Sequence, residues 1–175
     1  MAEDLLNLKQ RDNSYTEEHI QTLSWNEHIR RRPGMYIGKL GDGKAADDGI
    51  YVLVKEVVDN SVDEFNAAQT KASKNIIVNI EDNKVTVRDF GRGIPLAKVV
   101  DCASVMNTGG KFDSKVFKRS VGLNGVGIKA VNALSTYFHI QSFKDGESVS
   151  AVFDRGNLVS KEHISTKEKN GTLIE

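Results

Sequence analysis

The sequence predicts an α+β fold, a two-layer sandwich in which a mixed, mostly antiparallel sheet carries helices on one face. Three observations predict it: a long helical period from Asp47 to about Ala68, a β-hairpin pattern directly after it, and strand-like runs alternating with turns from Tyr137 onward. The chain has 175 residues, 39% of them apolar and 27% charged, which suits one globular domain and argues against a membrane span or a disordered tract. Its 24 basic and 24 acidic residues cancel, which removes the simplest argument for a domain that grips DNA unaided. A single cysteine, Cys102, cannot form an intramolecular disulfide, and the start MAEDLLNLKQRDN has no secretory character, so a reducing cytoplasm is expected. His19, His28, His139 and His163 never reach metal-ligand spacing.

Taken in order, residues 1–23 read as a polar arm and residues 24–175 as the folded domain. A short helix is predicted from Ser24 to the Arg30-Arg31-Arg32-Pro33-Gly34 stop, with a flexible run at Gly41-Asp42-Gly43-Lys44 beyond it. In the long helix, Ile50, Val54, Val57, Val58, Ser61 and Phe65 share an arc of about 100°, which should be buried. Glu56, Asp59, Asn60 and Asp63 gather opposite, with Glu64 at their edge. Asn75–Ile80, the turn Glu81-Asp82-Asn83 and Lys84–Asp89 read as the hairpin, and period two puts Val85, Val87 and Asp89 on one side. A second helix is expected from Leu96 to Met106 and a third from Ile128 to Ser135. Strands follow at Tyr137–Phe143, Ser148–Phe153 and Leu158–His163, and the chain stops inside a further strand-like run, as a piece of a longer protein would.

Four features bear chemistry. Gly122-Leu123-Asn124-Gly125-Val126-Gly127 runs into the helix at Ile128, where free backbone amides and the helix dipole favour phosphate; alone it reads equally as a flexible turn. From Thr108 to Lys129 five bases (Lys111, Lys115, Lys118, Arg119, Lys129) face one acid, Asp113, a surplus of four positive charges that attracts polyphosphate or merely forms a solvated loop. Asp89-Phe90-Gly91-Arg92-Gly93 ends the hairpin with an inward carboxylate, which can accept from a planar donor such as the amino group of adenine or cap a turn. Glu56 and Asn60, one helical turn apart, offer a general base and an oxygen ligand for Mg²⁺, or a solvated face. Together they point to a Mg–nucleoside triphosphate.

In this order, Glu56-x-x-x-Asn60, Asp89-x-Gly91-x-Gly93 and Gly122-x-x-Gly125-x-Gly127 resemble the ATP-binding motifs of the GHKL superfamily. Arg32-Pro33-Gly34-Met35-Tyr36-Ile37-Gly38, Glu56–Glu64, Asp89–Pro95 and Thr108-Gly109-Gly110-Lys111-Phe112 closely resemble bacterial gyrase B and topoisomerase IV B subunits. The resemblance implies that fold, with a transducer domain beyond Glu175, and an ATP-hydrolysing subunit that works with an A subunit on DNA. It implies that Glu56 is the general base, that Asn60 holds Mg²⁺, and that Asp89 accepts from adenine with Thr172 nearby. Gly93, Ile94 and Pro95 would lie beside the base, with Arg92 and Glu64 lining a pocket open to competitive inhibitors. Asp63 falls within the same motif. Gly122, Leu123, Asn124, Gly125, Val126, Gly127 and Ile128 would meet the phosphates, assisted by Lys111. Tyr15 would reach nucleotide bound by a partner, in a homodimer formed on ATP binding, whereas this piece alone, without the transducer lysine that reaches the γ-phosphate in the family, is expected to be monomeric and to bind ATP with very low turnover. Asn124 stands where many members have His, Phe117 where Tyr is usual and Lys144 where Arg often sits. A regulatory nucleotide-binding module and a plain interaction domain are the other readings.

Overall fold

The computed structural model describes residues 15–68, 75–112 and 125–175. Helix α1 spans Trp25–Arg31, α2 Gly34–Ile37, α3 Gly49–Ala67, α4 Val99–Ser104 and α5 Gly127–Leu134. The strands are β1 Ile76–Glu81, β2 Lys84–Asp89, β3 Phe138–Lys144, β4 Glu147–Asp154, β5 Asn157–Ser165 and β6 Gly171–Ile174. They form one six-stranded sheet in the order β1-β2-β6-β3-β4-β5, and every pairing described is antiparallel. The α+β class and largely antiparallel sheet expected from the sequence are therefore present.

Local chemistry explains the element boundaries. The Ser24 amide donates to the Glu27 carboxylate at 3.0 Å and opens α1. Pro33 has no backbone N–H to extend the helical ladder and turns the residue before it, Arg32, out of helical backbone, so α1 ends at Arg31. The chain then re-enters a helix at Gly34, where the sequence predicted only a lead into a loop. The second predicted helix is shorter than expected: a 3₁₀ turn at Leu96–Lys98 follows Pro95, and α4 proper ends at Ser104. Period two in the hairpin behaves as predicted, with Val87 and Asp89 both buried.

The main core lies between the helices and the sheet. Val57 of α3, Val99 and Ala103 of α4 and Val131 of α5 meet Val87, Phe138, Ile140, Val149, Ala151, Phe153 and Ile174 of the strands. Each large apolar side chain removed from water in this way contributes about 1.5–3 kcal/mol. A second cluster, Ile29, Ile37, Ala130 and Ala133, fastens α1 and α2 to α5. One sequence expectation needs correcting here: Ile50, assigned to the buried arc, is 52% exposed. Helix α2 reaches α3 through Gly49, where a Cβ would collide with Ile37, and this leaves the next residue turned to solvent.

Strand β6 sits between β2 and β3, so the hairpin joins the rest of the sheet through it. Its first residue, Gly171, has φ +141°, and a Cβ there would run into the Asp89 carbonyl. Arg88 reinforces this junction, with its guanidinium between the rings of Phe90 and Phe143, at 4.6 and 4.3 Å from their centroids. It also donates to the carbonyls of Asp89 and Lys169.

Candidate nucleotide site

A cavity of about 530 Å³ opens between α3, the ends of β2, β3 and β6, and the start of α5. Along α3 its wall runs from Glu64 to Glu56, a span of about 12 Å at 1.5 Å per residue. That length suits a nucleoside with a phosphate tail better than a base alone.

At one end stands Asp89, 5% exposed. Its Oδ1 accepts from the amides of Gly91 at 2.9 Å and Thr172 at 3.3 Å, and its Oδ2 from the Ser61 hydroxyl at 3.3 Å. Burial pushes its pKa above the ordinary carboxylate value, and these three donors oppose the rise. Ser61, read from the helical wheel as part of the apolar arc, is thus a polar partner of the buried acid. Beside it Glu64 and Arg92 form a two-pronged ion pair, Arg92 Nε to Oε1 at 2.8 Å and Nη2 to Oε2 at 2.9 Å, and the Arg92 amide donates to Oε1 at 2.7 Å. Gly93, with φ +73°, lets the backbone pass close to the Phe143 carbonyl, which a Cβ would strike. Lys144 donates to the Arg92 carbonyl at 3.2 Å at this end of the cavity.

At the other end Glu56 lies against the first turn of α5. A Cβ on Gly127 would overlap the Glu56 carboxylate, so glycine at this position is what lets the acid and the helix N-terminus approach each other. Gly125, Val126, Gly127 and Ile128 line the wall there, with Asn60 across the helical turn from Glu56. Lys111 Nζ donates to Asn60 Oδ1 and to Asp63 Oδ2, both at 2.6 Å. Among the described residues no group of three or more His, Cys, Asp or Glu is placed to hold a metal by itself. A cation here would rely on the Asn60 oxygen, water and oxygens of a bound ligand, and the Lys111 ammonium on that oxygen shows that the position accepts positive charge.

The cavity therefore brings together Glu56, Asn60, Glu64, Asp89, Arg92, Gly93, Ile94, Pro95, Lys111, Gly125, Val126, Gly127, Ile128 and Thr172. Two candidates lie off its wall. Asp63 is completely buried, 0% exposed, and touches the site through Lys111, because its position on α3 points under the wall. Tyr15 is 80% exposed, with its ring facing that of His19 at 6.2 Å. Gly122, Leu123 and Asn124 lie outside the described residues.

The structure adds residues that the motifs alone did not single out for the site. Tyr36, from the Arg-Pro-Gly-Met-Tyr string, lines the cavity and is hydrogen-bonded to His28 Nδ1 at 2.7 Å. Lys129, counted among the loop bases, is 1% exposed and donates to the Thr108 carbonyl at 2.6 Å. It lies within α5 rather than in the loop before it, as the helical pattern starting at Ile128 allowed, and the helix turns it inward. Burial pushes its ammonium down from 10.5 to about 8. The unfolded chain holds that proton up to its ordinary pKa while the folded protein releases it earlier, so folding stability rises with pH between the two values. Relative to Lys129→Met, the wild type is expected to gain about 3 kcal/mol across that window, read by urea unfolding at pH 7 and pH 10. A constant difference between the two proteins would show that the Lys129 charge is not desolvated.

Residues 45–172 match the model of the histidine kinase-, DNA gyrase B-, and HSP90-like ATPase family, and the chain belongs to that family. The resemblance read from the motifs is thereby borne out. Within the family the chain is similar to the B subunits of type II topoisomerases. It is 52% identical over 162 residues to the B subunit of DNA topoisomerase 4 from Borreliella burgdorferi, covering 93% of this chain and 26% of that protein. It is 39% identical over 171 residues to the B subunit of DNA gyrase from Treponema denticola, covering 92% of this chain and 26% of the relative. Among solved structures, the 43K ATPase domain of Thermus thermophilus gyrase B in complex with an aminocoumarin matches with TM-score 0.65 and 28% identity, over 85% of this chain and 37% of that one. The chain spans about a quarter of the length of these two curated relatives.

Proposed function

We propose that the cavity binds ATP with Mg²⁺ and that the chain is the ATP-binding and ATP-hydrolysing part of a type II topoisomerase B subunit. The observation that carries this is the polarity of one cavity, with a buried, donor-braced carboxylate at one end and Glu56, Asn60 and the N-terminus of α5 at the other. Adenine fits the first end, its amino group donating to Asp89 Oδ2 beside Thr172, with Gly93, Ile94 and Pro95 along the ring and the Glu64–Arg92 pair at its edge. The phosphates fit the second, toward the amides of Gly125, Val126, Gly127 and Ile128, Gly122, Leu123 and Asn124 from the adjoining segment, and Lys111.

Glu56 then accepts a proton from the water that attacks the γ-phosphate. Bound Mg²⁺, held by Asn60 Oδ1, would neutralise charge on the phosphate oxygens. Asp63 acts by holding Lys111. In the whole protein we propose an arm over residues 1–23, a nucleotide domain over 24–175 and a transducer domain beyond. ATP-driven homodimerisation would bring Tyr15 to the partner's nucleotide, and the A subunit and DNA would be the working partners in the cytoplasm. The 175-residue chain by itself is monomeric in this reading, and adenine-pocket inhibitors compete with ATP. No helix among the described residues is long and apolar enough to cross a membrane.

Isothermal titration of the chain with a non-hydrolysable ATP analogue and Mg²⁺ tests the reading. One site per chain is expected, with adenine nucleotides preferred over guanine nucleotides, which present a carbonyl where Asp89 needs a donor. Absence of heat, or equal binding of both bases, would contradict it.

A further inference from the structure

The acid-amide wall of α3 already carries a cation. Lys111 Nζ is 2.6 Å from Asn60 Oδ1 and 2.6 Å from Asp63 Oδ2, on a side chain only 17% exposed above a carboxylate that is 0% exposed. Asn60 Oδ1 is the oxygen assigned above to Mg²⁺, and an ammonium and a metal ion cannot share it at contact distance without strong repulsion. We propose that Lys111 is a positioning residue that serves as a resident cation of the site. It covers Asn60 and compensates Asp63 in the nucleotide-free protein, keeps free divalent ions off the wall, and yields the oxygen only when a polyphosphate draws the ammonium to itself. This rests on the reading of Asn60 as the metal ligand.

The surroundings favour such an exchange. Lys111 follows Gly109 and Gly110, and a Cβ at Gly109 would meet nothing, so the backbone before the lysine is unencumbered. One step earlier, Lys129 ties the Thr108 carbonyl to α5 at 2.6 Å, so a displaced Lys111 remains anchored beside the cavity. The exchange makes metal loading conditional on nucleotide: the ammonium gives up the Asn60 amide oxygen and its contact with Asp63 for anionic phosphate oxygens, and the metal, taking the vacated position, supplies positive charge beside Asp63 in its place.

Mn²⁺ titration of the 175-residue chain without nucleotide, followed by the electron paramagnetic resonance of the free ion, provides the test. The comparison is among wild type, Lys111→Arg, Lys111→Met and Lys111→Met combined with Asp63→Asn. Wild type and Lys111→Arg should leave Mn²⁺ free at concentrations where Lys111→Met binds one ion, at least ~10-fold tighter. Adding Asp63→Asn should abolish that gain. Should Lys111→Met fail to fold, Lys111→Gln, an uncharged donor to the same oxygens, supplies the comparison. An uncharged variant that folds and binds Mn²⁺ no better than wild type overturns the proposal, as does wild-type Mn²⁺ affinity that is the same with and without an ATP analogue. The Asn60 reading is tested separately, through the Mn²⁺ dependence of analogue affinity. If Asn60→Ala leaves that dependence unchanged, the metal assignment fails even where Lys111→Met gains an ion.

Discussion

Glu56→Gln should bind an ATP analogue as the wild type does and hydrolyse ATP about 10²–10⁴-fold more slowly, the range typical for loss of a general base. Glutamine keeps the shape that fits against Gly127 and removes the proton acceptor. The cavity wall carries three acids among its described residues, Glu56, Glu64 and Asp89. Glu64 is committed to Arg92 through both carboxylate oxygens, and Asp89 stands at the far end, held by Gly91, Thr172 and Ser61. Glu56 is left at the end where α5 presents its amides. Single-turnover hydrolysis at saturating nucleotide in the full-length subunit checks this, and a rate within a few fold of wild type would move the base to another group.

The second large effect is expected from Asp89→Asn, with opposite signs on two measurements. Nucleotide affinity should fall roughly 10–100-fold, the worth of a hydrogen bond to a charged acceptor, because the new amide presents a donor to a donor. Stability of the nucleotide-free protein should hold or rise. Burial raises the Asp89 pKa, so the ionised side chain costs folding energy at neutral pH, and that cost is relieved as pH falls through the raised value. A neutral amide removes the desolvated charge while its oxygen can still accept from Gly91 and Thr172. Melting of the variant and wild type at pH 5 and pH 8 separates the effects: the advantage of Asn should be larger at pH 8. A variant that melts well below wild type at both values would mean that Asp89 is chiefly a structural anchor.

How far such residues could be read in advance depended on the range of the interactions that fix them. The hairpin, the inward turn of Asp89 and the pairing of Glu56 with Asn60 on one helix follow from periods of 2 and 3.6, which are local properties of the chain. The start of α5 at Gly127 was legible for the same reason, since a helix start and its free amides are neighbours in sequence. The partners of these groups were not. Lys111 meets Asn60 across 51 positions and Lys129 meets Thr108 across 21, and a positive charge in a basic loop gives no local sign of the acceptor it will find. Ile50 and Ser61 illustrate the other limit: a helical wheel assigns both to one arc, but packing of Ile37 on Gly49 exposes the first, and Asp89 gives the second a polar task. Tyr36 belongs to a string that the resemblance made conspicuous, yet its bond to His28 forms only once α1 and α2 are packed.

The position of β6 has a consequence for how the protein is made. Asp89 and Thr172 are 83 residues apart, and the strand that carries Thr172 is the link between the hairpin and the remaining sheet. During synthesis the hairpin and α3 emerge early, but the pocket that braces Asp89 stays incomplete until β6 threads between β2 and β3. Closing so long a loop costs more conformational entropy than the local contacts of the hairpin and α3, so this seam is expected to close after them. If the proposed nucleotide is held by both Asp89 and Thr172, its binding favours the closed seam by mass action.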